Sequence, residues 1–207
     1  MVTLASVSYA YPGGQPIRFP DWQAEKGSHW LVTGPSGSGK TTLLYLLSGL
    51  LTPNTGEVEV EGARLSQLSE RQRDAYRARS VGYMLQRPAL LPALTVHQNL
   101  NLAWRMAQKA GKPELGYADV GLGDFGGRFP HQLSVGQAQR VALLRAVQHK
   151  PTLLLADEPT SALDAVNATA AITLLLQTVR QTGTTLVVAS HDARLHDYFE
   201  HEIALQP

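Results

Sequence analysis

A glycine-rich stretch with one lysine is the strongest chemical signal in the sequence. Residues 34–41 read GPSGSGKT and match G-x-x-x-x-G-K-[ST] between an apolar run and a helical segment. Glycines let the backbone curl so that its N–H groups point at phosphate oxygens, and the following helix adds its positive end. We expect Lys40 to reach the β- and γ-phosphates and the Thr41 hydroxyl to ligate Mg²⁺. The predicted nucleotide-binding residues are Gly34, Pro35, Ser36, Gly37, Ser38, Gly39, Lys40, Thr41 and Thr42.

Two adjacent acids follow a wholly apolar stretch. Residues 152–156 indicate a buried parallel strand, and Asp157 and Glu158 come directly after it. Ligands of open α/β sheets bind at the carboxyl ends of such strands. We expect Asp157 to hold Mg²⁺ through water, and Glu158 to orient and deprotonate an attacking water. The alternative is a pair of acids that faces solvent at the end of a strand.

A second helix start, LSVGQAQR at residues 133–140, also has the features of an anion site. Ser134 and Gln137 fit a capping box, which explains both residues without any ligand. Gly136 lies in the first turn, where glycine costs about 1 kcal/mol against alanine. A glycine there is understandable if another group must approach the backbone closely. These residues alone leave open why one chain has two anion-binding helix starts and only one lysine-bearing loop.

Strands and helices alternate along the chain and must position these groups. Strands are predicted at 3–9, 29–33, 56–60, 81–85, 152–156 and 184–189, and helices at 40–50, 69–79, 96–108, 134–149 and 164–182. This alternation indicates an α/β fold with a parallel sheet. Prolines and glycines interrupt residues 87–129, so we expect a helical subdomain inserted there. The arginines of helix 69–79 read as a solvated face: Arg71, Arg73, Arg77 and Arg79.

Composition narrows the class of protein. The 207 residues suit one domain with an insertion, and a net charge of +1 gives no broad basic field for DNA or RNA. The absence of cysteine excludes a disulfide framework and a thiolate metal site. The N-terminus does not read as a secretory signal, and no stretch reaches the ~20 apolar residues of a membrane-spanning helix. To act at a membrane, the chain would therefore need another protein that docks it there.

Together these motifs resemble the nucleotide-binding subunit of ATP-binding cassette (ABC) transporters over essentially the full chain. The family signature is LSGGQ, and LSVGQ at 133–137 is similar to it. In that family two subunits face each other head to tail, and the signature of one closes over the γ-phosphate held by the other. The resemblance thus implies that Ser134, Gly136 and Gln137 bind a partner's ATP.

The resemblance also implies roles for residues that spacing alone would not single out. Tyr11 resembles the aromatic that stacks on adenine, with Tyr9 as a weaker candidate. Gln86 resembles the glutamine that reaches Mg²⁺ and the attacking water and also faces the transmembrane partner. Asp164 resembles a residue of the loop that crosses the dimer interface, and it also fits a helix N-cap. His191 resembles the histidine that contacts the γ-phosphate.

The fold implied by the resemblance is a single domain over 1–207. It has a P-loop NTPase core with a mostly parallel sheet, an N-terminal antiparallel β subdomain and a helical subdomain inserted at about 87–149. Val135 replaces the first glycine of the signature pair, but Ser134 and Gly136 remain, so we expect the γ-phosphate contact to survive. The segment between Gln86 and the signature is short for the family. The run LLPALTVHQNL resembles the lipoprotein-release, macrolide-export and cell-division branch.

The implied function is ATP binding and hydrolysis that energises substrate movement by a separate membrane permease through ATP-dependent dimerisation. ATP and Mg²⁺ are the expected cofactors, and the permease and a second, identical subunit are the expected partners, at the cytoplasmic face of the cell membrane. One alternative is a regulatory ABC ATPase that signals across a membrane without transport. Another is a nucleic-acid-linked ABC ATPase, which the single cassette and near-neutral charge disfavour.

Overall fold

The computed structural model describes residues 1–111, 113 and 115–206. The strands are β1 Val2–Tyr9, β2 Ile17–Arg18, β3 Trp22–Ala24, β4 His29–Thr33, β5 Thr55–Val60, β6 Ala63–Arg64, β7 Val81–Met84, β8 Leu153–Asp157, β9 Thr185–Ala189 and β10 His201–Ala204. The α-helices are α1 Lys40–Leu47, α2 Glu70–Ser80, α3 Val96–Met106, α4 Val135–Val147 and α5 Ala165–Thr182. Short 3₁₀ helices lie at Leu65–Gln67, Ala118–Val120, Pro130–Gln132 and Ala193–Tyr198.

The core sheet has the order β10-β4-β9-β8-β7, with parallel neighbours throughout its described length. Strands β8 and β9 are buried along their whole length because helices cover both faces. Alternate residues of β8 point to opposite faces. Leu153 and Leu155 join the cluster that includes Leu43 of α1, whereas Leu154 joins the cluster that includes Ile172 of α5. The predicted parallel α/β core is confirmed.

The second sheet is antiparallel and lies near the N-terminus. Strand β1 pairs with β2, β3 and β5, and β5 pairs with β6. Leu4 of β1 and Val58 of β5 are buried in the same cluster as Leu43 and Leu47 of α1. The predicted N-terminal antiparallel subdomain is therefore confirmed. Its position brings the β1–β2 connection close to the loop before α1.

Helices α3 and α4 pack together, and α4 also packs against strand β7 at the edge of the core sheet. The buried Asn99 side chain fixes the turn before α3, because its Nδ2 donates to the carbonyls of Leu91, Leu94 and Thr95 at 3.2, 3.1 and 3.0 Å. The boundaries of a helical subdomain at about 87–149 remain a prediction. No helix in the described part of the chain is long and apolar enough to cross a membrane.

The fully solvated arginine face predicted for α2 is wrong for two of its members. Arg73 donates from Nη1 to the Leu68 carbonyl at 2.8 Å, and Arg77 donates from Nη1 to the Gly49 carbonyl at 2.6 Å. Gly49 directly follows Ser48, the C-cap of α1. Arg77 therefore ties α2 to the segment that follows α1.

Candidate active site

The loop between β4 and α1 needs glycine at two of its positions. Gly34 has φ 143° and Gly39 has φ 95°, conformations that residues with a Cβ rarely adopt. A Cβ on Gly34 would lie 2.6 Å from the Leu205 carbonyl oxygen, and one on Gly39 would lie 2.8 Å from Ile17 Cγ2. The Leu205 carbonyl and the Ile17 side chain therefore leave no room for a side chain at these two positions of the loop.

Lys40 lies inside this curl. Its Nζ donates to the carbonyls of Gly34 and Pro35 at 2.8 and 3.0 Å, and the residue is buried. Both acceptors are neutral, so the ammonium charge is not balanced by these hydrogen bonds. A buried cation of this kind suits an anionic oxygen, and a phosphate would supply one.

Asp157 at the end of β8 meets the start of α1. Thr41 Oγ1 donates to Asp157 Oδ2 at 2.9 Å. Burial raises the pKa of Asp157 above its ordinary value and the Glu158 carboxylate adds to the rise, while the Thr41 hydrogen bond acts in the opposite direction. A divalent cation would offset the cost of this buried negative charge.

The donor set fits Mg²⁺. Among the described residues no group of three or more histidine, aspartate or glutamate side chains could hold a metal by itself. Mg²⁺ is usually held by one or two carboxylates together with substrate phosphates and water, so it does not need a protein cage. The Thr41 hydroxyl, the Asp157 carboxylate and the Gln86 amide line one cleft and are oxygen donors of the kind that Mg²⁺ prefers.

Glu158 is bent sharply away from the direction of β8. Its φ is 47°, an uncommon value for a residue with a side chain, and its N–H donates to the Ala189 carbonyl at 2.8 Å. The carboxylate turns toward the end of β9, where Oε2 accepts from Ser190 Oγ at 2.8 Å. Its Oε1 accepts from the His191 backbone N–H at 3.1 Å and lies 2.6 Å from His191 Nδ1. Glu158 and His191 are thus direct neighbours at the edge of the cleft.

One open cleft of about 870 Å³ brings most of the predicted residues together. It is lined by Tyr11, Ile17, Pro35, Ser36, Gly37, Gly39, Lys40, Thr41, Thr42, Gln86, Asp157, Glu158 and His191. Tyr11 is 45% exposed, and its hydroxyl lies 3.2 Å from Thr42 Oγ1. Tyr9 packs its ring edge-on against Tyr11 and against the core instead of lining the cleft. This arrangement favours Tyr11 for contact with a ring-shaped ligand.

The second predicted helix start lies apart from this cleft. Ser134 caps α4, with its Oγ accepting from Gln137 N–H at 3.3 Å and Gln137 Oε1 accepting from the Ser134 N–H at 3.0 Å. A Cβ added to Gly136 would meet no atom within 4 Å among the described residues. Packing within the chain therefore does not require glycine at this position. The cleft lining, as far as the structure describes it, does not include Ser134, Gly136, Gln137 or Asp164.

Asp164 caps α5 beside this helix start. Its Oδ1 accepts from the Asn167 N–H at 2.9 Å, and the hydrogen bonds from the Asn167 backbone and side chain lower the pKa of Asp164. Gly136 and Asn167 line the same small cavity of about 40 Å³, so the starts of α4 and α5 are side by side. Each chain thus has a cleft with Lys40 and, separately, an exposed pair of capped helix starts.

Ser190 is buried next to the cleft and was not among the site residues predicted from the sequence. Strands β8 and β9 pair in register from Leu153–Thr185 to Asp157–Ala189. This register places Glu158 and Ser190 next to each other immediately after the paired strands. Aligning the two apolar stretches by their C-terminal ends would have indicated this contact.

Comparisons with known proteins point to one family. Residues 18–161 match the family model described as ABC transporter. The chain is 35% identical to the uncharacterized ABC transporter ATP-binding protein Rv0986 of Mycobacterium tuberculosis, with 100% of this chain and 87% of the relative covered.

Solved structures show the same fold. The dimeric post-hydrolysis structure of the ATP-binding cassette MJ0796 bound to ADP and Pi has a TM-score of 0.87 at 30% identity, covering 99% of this chain and 94% of that one. CbiO1 of Clostridium perfringens, described as part of the ABC transporter complex cbiONQ, has a TM-score of 0.86 at 24% identity, with 99% and 84% covered. The chain therefore belongs to the ABC transporter family, as an ATP-binding subunit that hydrolyses ATP.

Proposed function

We propose that two copies of this chain close around two ATP molecules and drive substrate movement through a separate membrane permease. The observation that carries the proposal is the separation, on one chain, of a cleft around Lys40 from the exposed helix start at Ser134. The cleft has no signature residue along its described lining, and the helix start has no lysine. In a two-fold dimer the cleft of each chain faces the helix start of the other chain, so that two complete sites form.

An identical partner suits this arrangement because both halves of the composite site are present in one chain. The cleft has Lys40 and Glu158, and the helix start has Ser134 and the uncrowded Gly136. The exposed side chain of Val135, 57% accessible, lies between the latter two and would be covered by a facing subunit. The MJ0796 cassette, which is similar over nearly the full chain, is dimeric in the structure described above.

Each residue of the cleft has a role in this proposal. Backbone N–H groups of the loop and Lys40 bind the phosphates of ATP, and Tyr11 stacks on adenine. Thr41, Asp157 and Gln86 hold Mg²⁺, which when bound offsets charge on the phosphate oxygens.

Two neighbouring side chains act on the reacting groups. Glu158 accepts a proton from the attacking water, and His191 binds the γ-phosphate. Ser134 and Gly136 of the facing subunit bind the same phosphate from the other side. Loss of that phosphate removes the contact that both subunits share, so hydrolysis favours opening of the dimer.

A groove on the outer side of β7 is the proposed docking surface for the permease. It consists of two adjoining cavities of about 660 and 280 Å³ between α2, β7, α3 and α4. Exposed apolar side chains of Leu50, Leu85 and Met106 line it. Exposed apolar surface of this kind marks interaction sites, and Leu85 directly precedes Gln86 of the cleft. The chain would thereby act at the cytoplasmic face of the membrane.

The test is the variant Glu158→Gln, with the exposed Glu25→Gln as a matched control. We expect Glu158→Gln to bind Mg-ATP, to lose about a hundredfold or more of the hydrolysis rate, and to form a dimer by light scattering only when Mg-ATP is present. Glu25→Gln should hydrolyse ATP like the natural chain. Normal hydrolysis by Glu158→Gln would remove Glu158 as the base. A Glu158→Gln protein that binds Mg-ATP but stays monomeric, alone and with its permease, would contradict the proposed dimer.

A further inference from the structure

The Glu158 carboxylate contacts two side chains that differ sharply in freedom to move. Ser190 is only 1% exposed, and its hydroxyl contacts Oε2. The His191 side chain is 67% exposed, and its ring contacts Oε1. A side chain so open to the cleft can turn toward a bound phosphate, whereas the packed serine cannot follow it.

The hydroxyl proton of Ser190 has a defined direction. Its Oγ accepts from the Asp192 backbone N–H at 3.1 Å, and a hydroxyl has one proton to donate. Glu158 Oε2, at 2.8 Å, is an acceptor for that proton. The serine backbone is held as well, because its N–H donates to the Val32 carbonyl of β4 at 3.0 Å. Ser190 therefore presents a fixed donor to one oxygen of the carboxylate.

Hydrogen bonds to both of its carboxylate oxygens hold the Asp192 side chain in place. Thr160 Oγ1 donates to Asp192 Oδ2 at 3.0 Å, and Arg194 Nε donates to Asp192 Oδ1 at 2.8 Å. The Arg194 hydrogen bond lowers the pKa of Asp192 to about 2, so this carboxylate stays ionised and continues to accept these donors. The turn after β9 is thus braced from two sides while the His191 ring remains exposed.

We infer that Ser190 is a positioning residue that holds Oε2 of Glu158, so that Oε1 is the oxygen that faces the attacking water once His191 turns to the phosphate. The inference rests on the proposed role of Glu158 as the base. Hydrogen bonds from a fixed donor select one orientation of a carboxylate, and general-base catalysis depends on that orientation. The bent backbone at Glu158 alone leaves the side-chain torsions free. The His191 backbone N–H contacts Oε1 at 3.1 Å, and the Ser190 hydroxyl is the buried side-chain donor that holds Oε2 at 2.8 Å.

The experiment compares Ser190→Ala and Ser190→Thr with Ser48→Ala. Ser48 is also 1% exposed, and its hydroxyl donates to the Tyr45 carbonyl at 2.9 Å at the end of α1, so its variant controls for loss of a buried hydroxyl. We expect Ser190→Ala to lower kcat about tenfold to a hundredfold, with KM for ATP and the affinity for a fluorescent ATP analogue within about twofold of the natural chain. Ser190→Thr keeps the hydroxyl and should recover most of kcat.

The outcomes separate this inference from the proposed function. If Glu158→Gln abolishes hydrolysis but Ser190→Ala has the kcat of Ser48→Ala, the positioning role is wrong and the base assignment stands. A parallel loss of nucleotide affinity and kcat in Ser190→Ala would mean a structural role in the cleft and would also overturn the inference. A folded Ser190→Thr protein as slow as Ser190→Ala would count against it in the same way. Normal hydrolysis by Glu158→Gln would remove Glu158 as the base, and this inference with it.

Discussion

Thr41 and Asp157 are joined by a hydrogen bond of 2.9 Å that links the first turn of α1 to the end of β8. The two residues are 116 positions apart in the chain, and their contact closes the floor of the nucleotide cleft. Asp157 is buried, and burial raises the pKa of its carboxyl. A cation between the two oxygens would relieve this cost, which makes the pair the centre of the proposed Mg²⁺ site.

The first prediction concerns this pair. Thr41→Val keeps the shape of the side chain but removes its oxygen, so Mg²⁺ should enhance ATP binding about tenfold less than in the natural chain, roughly the loss of 1.4 kcal/mol. Binding measured with EDTA should change much less. Titration with a fluorescent ATP analogue, with and without Mg²⁺, checks this. Thr178→Val is the control because that hydroxyl donates at 2.8 Å to the Leu174 carbonyl within α5. Equal Mg²⁺ enhancement in all three proteins would exclude Thr41 as a ligand.

The second prediction separates Tyr11 from Tyr9. Tyr11→Ala should weaken ATP binding about tenfold, because stacking on a base is worth roughly 1–3 kcal/mol, whereas Tyr11→Phe keeps the ring and should bind nearly as well. The same titration measures both. Tyr9→Ala should act mainly on the melting temperature, since Tyr9 packs against the core. A larger loss of affinity in Tyr9→Ala than in Tyr11→Ala would reverse the assignment.

Much of the core was predictable because its strands are short and apolar and are separated in the sequence by segments with clear helix signals. The strand predicted at 29–33 matches β4 residue for residue, and the helix predicted at 164–182 matches α5 once Asp164 is counted as its cap. Strand β10 was not predicted. His201 and Glu202 are exposed, and only Ile203 of that strand is buried, so its sequence lacks the apolar pattern. Pairing with β4 determines this strand, and pairing between distant segments is not visible locally.

In the candidate site, too, the residues within local motifs were predictable, whereas the contacts between distant segments were not. The loop around Lys40 and the acids after β8 have local patterns that constrain their chemistry. The partners of Glu158 do not, because Ser190 reaches it only through the register between β8 and β9. Arg77 illustrates the same limit on the surface: its acceptor, the Gly49 carbonyl, comes from the end of another helix.

The third prediction uses the open space at Gly136. Alanine there should stabilise the isolated chain by up to about 1 kcal/mol, or about 2–4 °C in melting temperature, because alanine is the better helix former and its Cβ would meet nothing within 4 Å. ATP hydrolysis should fall nonetheless, since in the proposed dimer the new methyl group would face the partner's phosphate. Calorimetry and a phosphate-release assay test both statements.

Gly82→Ala is the contrasting control for this prediction. A Cβ on Gly82 would clash with the Ala146 carbonyl, so this variant should melt at a lower temperature than the natural chain. If Gly136→Ala were both more stable and fully active, close approach to the backbone would not be the reason for glycine at that position.

The last prediction asks whether the ATP site is composite. Lys40→Ala damages the loop and Ser134→Arg damages the helix start, so each protein alone should be inactive. In a mixed dimer the loop of the Ser134→Arg chain faces the natural helix start of the Lys40→Ala chain, which restores one of two sites. With random assortment half of the dimers are mixed, so the mixture should recover at most about a quarter of the natural rate.

A second mixture makes this result decisive. Lys40→Ala and Glu158→Gln both damage the cleft side, so every site in their mixed dimer still contains one defective cleft and the mixture should stay inactive. Recovery in the first mixture but not the second can arise only if each ATP is bound by one chain's loop and the other chain's helix start. Phosphate release from both mixtures at equal total protein gives the comparison. If the first mixture hydrolysed ATP no faster than its two components measured alone, Ser134 would not contribute to the ATP site of the partner chain.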